Sequence, residues 1–235
     1  MTTTLITGAN RGLGLETARR LAEAGHTVLL GARDLSRGRA AAERIGAHCL
    51  ELDVTSDESV MAAADRLREQ AGCLDVLVNN AGITGPLKEA ADLTADDVKT
   101  VYETNLFGVV RVTQAFLPLL RASRAPAVVN VSSGLGSLAI AEDPQKYVSQ
   151  LPVYYPSLAY NSSKAALNML TAQYAKAFPE IAFNAVDPGW TATDLNGHTG
   201  VQSVTEGAEV IVRTALAGGE RPSGGFLGNS GPVPW

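Results

Sequence analysis

"TLITGANRGLGLETARRLAEAG", Thr4 to Gly25, changes its period at the centre. Its first residues are β-branched and apolar, the pattern of a buried strand. From Gly14 the apolar positions recur at helical spacing until Gly25 stops them. Gly8, Gly12 and Gly14 lie around the change. Glycines there let backbone approach an anion such as a pyrophosphate, held at the N-terminus of the following helix where N–H groups lack partners. The spacing is G-x-x-x-G-x-G, not the G-x-G-x-x-G of the commonest dinucleotide loop.

Outward from this unit the alternation continues. "HTVLLGAR" and "HCLELDV" read as strands with the helix "SRGRAAAERIG" between them. Thr55 followed by Glu58 reads as a capping box for the helix "SDESVMAAADRLREQAG". "LDVLVNNAG", "AVVNVSSG" and "IAFNAVDPG" are further strands, "AYNSSKAALNMLTAQYAKAF" is a helix before the last of these, and "GGFLGN" is a final short strand. Strands alternating with helices predict an α/β fold: a doubly wound parallel (Rossmann) sheet of about seven strands with helices on both faces. Ligands bind such sheets beyond the C-terminal strand ends. No linker or composition break divides residues 1–235, so one domain is expected.

Composition narrows the function. Hydrophobic residues make up 46% of the 235 and charged residues 18%, enough apolar surface for a core. The formal net charge is −5, with no run of Lys and Arg, which argues against nucleic acid and anionic membranes as partners. Cys49 and Cys73 form no C-x-x-C pair and suggest a reducing cytoplasm. "MTTTLITGAN" has neither the basic region nor the apolar stretch of a signal peptide. His26, His48 and His198 have no metal-ligand spacing, so no metal site is expected.

"YNSSK", Tyr160 to Lys164, places a phenol and an ammonium one helical turn apart on one face. A cation there would lower the phenol's pKa and make it a usable proton donor. Together with the glycine loop, "NNAG" (Asn79 to Gly82), "ETNLFGV" around Asn105, "NVSSG" around Ser133 and "PGWTAT" (Pro188 to Thr193), it makes six motifs whose order and spacing resemble the short-chain dehydrogenase/reductase family across nearly the whole chain. The resemblance implies a catalytic set of Asn105, Ser133, Tyr160 and Lys164. It also implies cofactor contacts from Gly8, Asn10, Arg11, Gly12, Leu13 and Gly14 of the loop, from Asp53 and Val54 at the adenine, and from Asn79, Ala81 and Gly82. Pro188, Gly189, Thr191 and Thr193 would hold the nicotinamide amide and phosphates, and Tyr160 and Lys164 the adjoining ribose. Hydride delivery to a carbonyl leaves charge on oxygen, which Ser133 would hold while Tyr160 donates a proton. Lys164 would stabilise the phenolate, and Asn105 would hold a water relaying protons to Lys164.

Ala32 stands where an enzyme specific for NAD carries an acid for the ribose 2′-hydroxyl. Arg33 and Arg11 are placed to meet a 2′-phosphate instead, so NADP(H) is the expected cofactor, with Asp34 a complication. The expected function is reduction of a ketone or aldehyde, reversible as alcohol oxidation. A catalytically silent NADP-sensing protein on the same fold is the alternative.

Ser133 and Tyr160 lie farther apart than in most of the family, with the excess at about 138–156. That stretch, like "ARDLSRGRAA" and "DPGWTATDL", resembles the carbonyl reductase branch. Leu135, Tyr154, Tyr155 and Trp190 are expected either to line an apolar substrate cleft or to pack the insertion. An insertion lying over the tyrosine-bearing helix would cover a pairing surface, so a monomer is expected over a homo-oligomer.

Overall fold

Leu5 and Ile6 are neighbours in the chain and belong to opposite cores. In the computed structural model, which describes residues 2–149, 151, 153–217 and 222–235, both are fully buried in strand β1 (Thr3–Thr7). The remaining strands are β2 (Thr27–Ala32), β3 (His48–Glu51), β4 (Val76–Asn79), β5 (Ala127–Val131), β6 (Ala182–Asp187), β7 (Gly225–Gly228) and β8 (Gly231–Pro232). Their order in the sheet is β3-β2-β1-β4-β5-β6-β7-β8. All pairs are parallel except β7 with β8, a short hairpin strand that the seven-strand expectation lacked.

Period-two alternation divides the sheet's side chains. Leu5, Leu29, Leu77, Val128 and Phe183 meet α3 (Asp57–Ala71) and α5 (Gly108–Arg121), with Tyr174 and Ala175 of α7 (Leu158–Ala177) packed against them. Ile6, Leu30, Val78, Val129 and Val186 meet α1 (Gly12–Glu23), α2 (Leu35–Ile45) and α8 (Val204–Leu216). Burial on both faces explains why the strands read as continuous apolar runs. The crossover reverses between β1 and β4, leaving a crevice at their C-terminal ends.

One local reading changes and three helices are added. Ser56, not Thr55, is the N-cap of α3: its Oγ accepts the N–H of Ser59, while Thr55 bonds twice to the Asp53 carboxylate. The cap oxygen must reach the N–H three residues on, and the helix starts one residue later than the sequence suggested. Helices α4 (Ala95–Tyr102) and α5 flank a π-helical turn, Glu103–Phe107, and α8 completes the second face. None of these three was marked by the sequence pattern.

The stretch expected as an insertion holds a short helix, α6 (Leu138–Glu142), and a 3₁₀ turn, Pro144–Tyr147. Gln150 and Pro152 of that stretch lie outside the described residues. Ile140 and Leu151 pack with Ala185, Phe226 and Val233, and Leu135, Tyr147 and Tyr154 close around them. The apolar side of the segment therefore lies on β6, β7 and the hairpin. It leaves Met169 of α7 61% exposed.

Candidate active site

The glycine loop packs against the end of β4. Gly8 has φ +62°, and a Cβ there would stand 3.0 Å from Ala81 Cα. Asn80 fastens the loop, donating from Nδ2 to the carbonyls of Thr7 at 2.8 Å and Gly8 at 3.2 Å. The Thr7 hydroxyl in turn accepts the N–H groups of Asn80 and Ala81, both at 3.0 Å. Gly14 is tight for the same reason, since its Cβ would meet Asn80 Nδ2 at 2.5 Å. Gly12, at φ +56°, is open except for Thr193 at 3.8 Å. Arg11 is the N-cap of α1 and supplies no side-chain cap, so the first-turn N–H groups have no side-chain partner there. Asn10 and Leu13 are half-buried beside these glycines. An uncapped helix N-terminus behind an open glycine turn fits the phosphates of a dinucleotide.

The charges at the adenosine end are arranged unevenly. Ala32 is buried. Asp34 caps α2, accepting from the Arg37 N–H at 3.0 Å, and pairs with the Arg37 guanidinium at 3.3 Å. Arg33 is exposed and forms no ion pair among the described residues. Arg11 pairs with Asp194 at 3.0 Å, and His198 holds the other oxygen of that carboxylate at 2.8 Å. Asp53 is half-buried and Val54 is buried, with Val54 packed where a Gly108 Cβ would stand.

Of the "NNAG" residues, Ala81 and Gly82 border the cleft, whereas Asn79 turns into the core. Its Nδ2 donates to Asn130 Oδ1 at 2.9 Å, and its Oδ1 is buried without a partner. Gly82 gives room to Lys164, whose Nζ lies 3.7 Å from the position of a Gly82 Cβ.

The four residues expected to be catalytic come together at the C-terminal end of β5 and the start of α7. The Ser133 hydroxyl lies beside the Tyr160 phenol, near enough to lower its pKa, and Ser133 Oγ accepts the Leu135 N–H at 3.2 Å. Lys164 is 4% exposed; its Nζ lies 5.6 Å from the Tyr160 ring centre and donates to the Val131 carbonyl at 2.8 Å. Asn105 sits in the π-helical turn with its amide fully engaged. It exchanges two 2.9 Å bonds with the Ile83 backbone and donates to Ser163 Oγ at 3.0 Å. A water there would have to use the Asn105 backbone, because the side chain is a brace.

The electrostatics correct one expectation. Burial pushes the Tyr160 phenol up to about 12; the Ser133 hydrogen bond opposes this and the charge of Asp187 adds to it. The same desolvation pushes the Lys164 ammonium down to about 8. Loss of water outweighs any lowering of the phenol by the neighbouring cation.

Two residues unmarked in the sequence hold this geometry. Ser132 Oγ donates to Asn168 Oδ1 at 2.6 Å, and Asn168 Nδ2 donates to the Gly136 carbonyl at 3.1 Å. A Cβ on Gly136 would meet Lys164 backbone at 2.6 Å. Asn168, one turn beyond Lys164 on the same face, was readable from spacing; Ser132 was passed over in favour of Ser133.

Beyond β6, Pro188 is buried and Gly189 turns at φ +75°. Thr191 is buried, and its hydroxyl accepts from Gln202 Nε2 at 2.8 Å. Thr193 faces Gly12 across the cleft. Trp190 is half-buried and Tyr155 is 53% exposed, while Leu135 and Tyr154 pack into the insertion's core. Among the described residues there is no His, Cys, Asp and Glu cluster able to hold a metal, and no helix long and apolar enough to cross a membrane.

Residues 2–203 match the family model of the short chain dehydrogenases. The chain belongs to that family. This short-chain dehydrogenase is 39% identical to one from Penicillium roqueforti over 95% of its own length and 92% of the relative's. It is 37% identical to (+)-neomenthol dehydrogenase of Arabidopsis thaliana, covering 95% and 94%. Among solved structures, the NADPH-bound carbonyl reductase from chicken fatty liver superposes with a TM-score of 0.85 at 30% identity, over 100% of this chain and 99% of that one. This short-chain dehydrogenase is an oxidoreductase on a Rossmann sheet, as its sequence pattern led one to expect.

Proposed function

We propose that the protein is an NADP(H)-dependent reductase of ketones or aldehydes, reversible as a secondary-alcohol dehydrogenase. The observation that carries the reading is the Ser133 hydroxyl beside the Tyr160 phenol, with the buried Lys164 ammonium 5.6 Å from the Tyr160 ring centre, at the sheet edge where the glycine loop opens. When bound, the nicotinamide cofactor supplies the hydride. Ser133 holds the carbonyl oxygen and Tyr160 donates the proton to it. With its phenol pushed up to about 12, Tyr160 is protonated at neutral pH, the form that reduction needs. Lys164 offers positive charge to the phenolate left behind, and Asn105 braces the π-helical turn against α7.

The 2′-phosphate preference is supported by the charge pattern. Asp34 is turned into the α2 cap and Arg37, so it does not neutralise Arg33. Arg11 exchanges Asp194 for the phosphate in this reading. The NADPH bound to the chicken carbonyl reductase supports the same choice. Both cysteines are free thiols, which suits a reducing cytoplasmic setting.

The test is to supply purified protein with NADPH or NADH and a carbonyl panel. Cyclic monoterpenoid ketones belong in that panel because one relative is a neomenthol dehydrogenase. Carbonyl-dependent loss of NADPH absorbance, abolished by Tyr160→Phe, is expected. Binding of NADPH with no turnover on any member would favour the silent sensor.

A further inference from the structure

Asp187 ends β6 immediately before Pro188, and the proposed proton transfer does not use it. The residue is 7% exposed. Its Oδ1 accepts the N–H of Gly189 at 3.0 Å, and its carboxylate lies against Gly134, the residue after Ser133, whose N–H also lowers its pKa. Oδ2 stands 2.8 Å from where a Gly134 Cβ would be, so glycine alone lets the loop come this close. On the other side of Ser133, the Ser132 N–H donates to the Val186 carbonyl at 2.7 Å. The serine loop is therefore hydrogen bonded to the end of β6 before Ser133 and packed against Asp187 after it. A neutral acid in this place would offer a proton to one of two backbone donors, whereas a carboxylate suits both.

The groups that face Asp187 are few. From the serine loop it meets Gly134, from the turn beyond β6 it meets Gly189, and on α7 the titratable group within reach of its charge is Tyr160. Asp187 forms no ion pair among the described residues. Leu151 of the insertion closes the same side, near Gly134.

We propose that Asp187 is a positioning residue whose carboxylate clamps the Gly134 and Gly189 N–H groups, locking the Ser133 hydroxyl, the Tyr160 phenol and the Pro188–Gly189 turn into one unit. Its charge also adds to the burial that raises the Tyr160 phenol. Burial raises its own carboxyl above the ordinary aspartate range, with the two N–H groups pulling the other way. Only the kinetic consequence rests on the reductase reading.

The test uses Asp187→Asn, which keeps the shape, removes the charge and sets an amide against one backbone donor. In ¹⁵N-labelled wild-type protein, the Gly134 and Gly189 amide resonances should titrate together, with one midpoint above the ordinary aspartate value of about 3.9. Asp187→Asn should abolish that step. In protein labelled at tyrosine Cζ, with Tyr160 assigned through Tyr160→Phe, the phenol should titrate about 0.5–1 pH unit lower in Asp187→Asn, since a like charge has gone. With NADPH and a carbonyl from the panel, kcat should fall about 10- to 100-fold, as for a misplaced reacting group, with KM for NADPH within about 2-fold of wild type. Independent midpoints for the two amides in the wild type, or no titration of either, would overturn the clamp even if the variant did not fold. A lower melting temperature with unchanged Tyr160 titration and unchanged kcat would overturn it too. If no carbonyl is turned over, the reductase reading fails while the resonance measurements still decide the role of Asp187.

Discussion

Lys164 is the residue whose ionisation is most exposed to test without a substrate. Unfolded, its ammonium titrates near 10.5; folded, burial brings it to about 8. Between those values the unfolded chain binds more protons, so Lys164 makes stability rise with pH across that window, and its destabilising contribution is full below it. Lys164→Met should flatten the rise, seen as the urea midpoint measured from pH 7 to 10.5. Tyr160→Phe should remove most turnover and leave NADPH binding measurable by fluorescence, because the phenol oxygen and not the ring carries the proton. Gly136→Ala is expected to melt well below wild type: its methyl would lie 2.6 Å from Lys164 backbone, which cannot move without displacing α7.

At the scale of elements, α7 and the serine loop act as one piece through Asn168. Asn168→Ala strips the Gly136 carbonyl of its side-chain partner and leaves Ser132 Oγ only the Lys164 carbonyl at 3.5 Å, so about 1–3 kcal/mol of stability should go with the unsatisfied group. Chemical denaturation measures it, and a loss under 0.5 kcal/mol would mean the loop finds other partners. The sequence carried α1 and its glycine loop plainly because strand, turn and helix are adjacent there and each glycine marks a backbone approach. It carried α5 and α8 poorly. "GVVRVTQAFLPLLR" and "VTEGAEVIVRTAL" are rich in β-branched residues, and α5 contains Pro118, so local propensity points away from helix and packing against the sheet decides. The tetrad positions were legible as motifs, whereas Asp187 acts through backbone groups that no local spacing reveals. The pKa of Tyr160 was misjudged for a related reason: a spacing of four shows a neighbouring charge and says nothing of how much water is lost.

Across the whole molecule, the cleft draws one wall from the glycine loop and the other from the segment after β6, joined at the surface by Arg11 and Asp194. The pair is exposed and contributes little stability. Its value lies in a guanidinium held near the cleft mouth. Removing Arg11 and Arg33 together should weaken NADPH binding about 10- to 100-fold more than NADH binding, the range of one charge-assisted contact. Equal losses, measured by calorimetry, would place the 2′-phosphate elsewhere.

The packing of α6 is finished by residues distant in the chain. Trp235 stacks on Phe226 with ring centres 5.5 Å apart, and its carbonyl accepts the N–H of Ala139 at the start of α6. A ribosome needs roughly 5–20 s to add the stretch between Ala139 and Trp235. Through that interval α6 has been made but its support has not, and Ile140 and Leu151 are without the Phe226 and Val233 they pack on. The nascent chain can assemble its nucleotide-binding half early, yet the packing around α6 waits for Phe226 to Trp235. Chaperone engagement during synthesis should therefore concentrate on this segment rather than on the glycine loop.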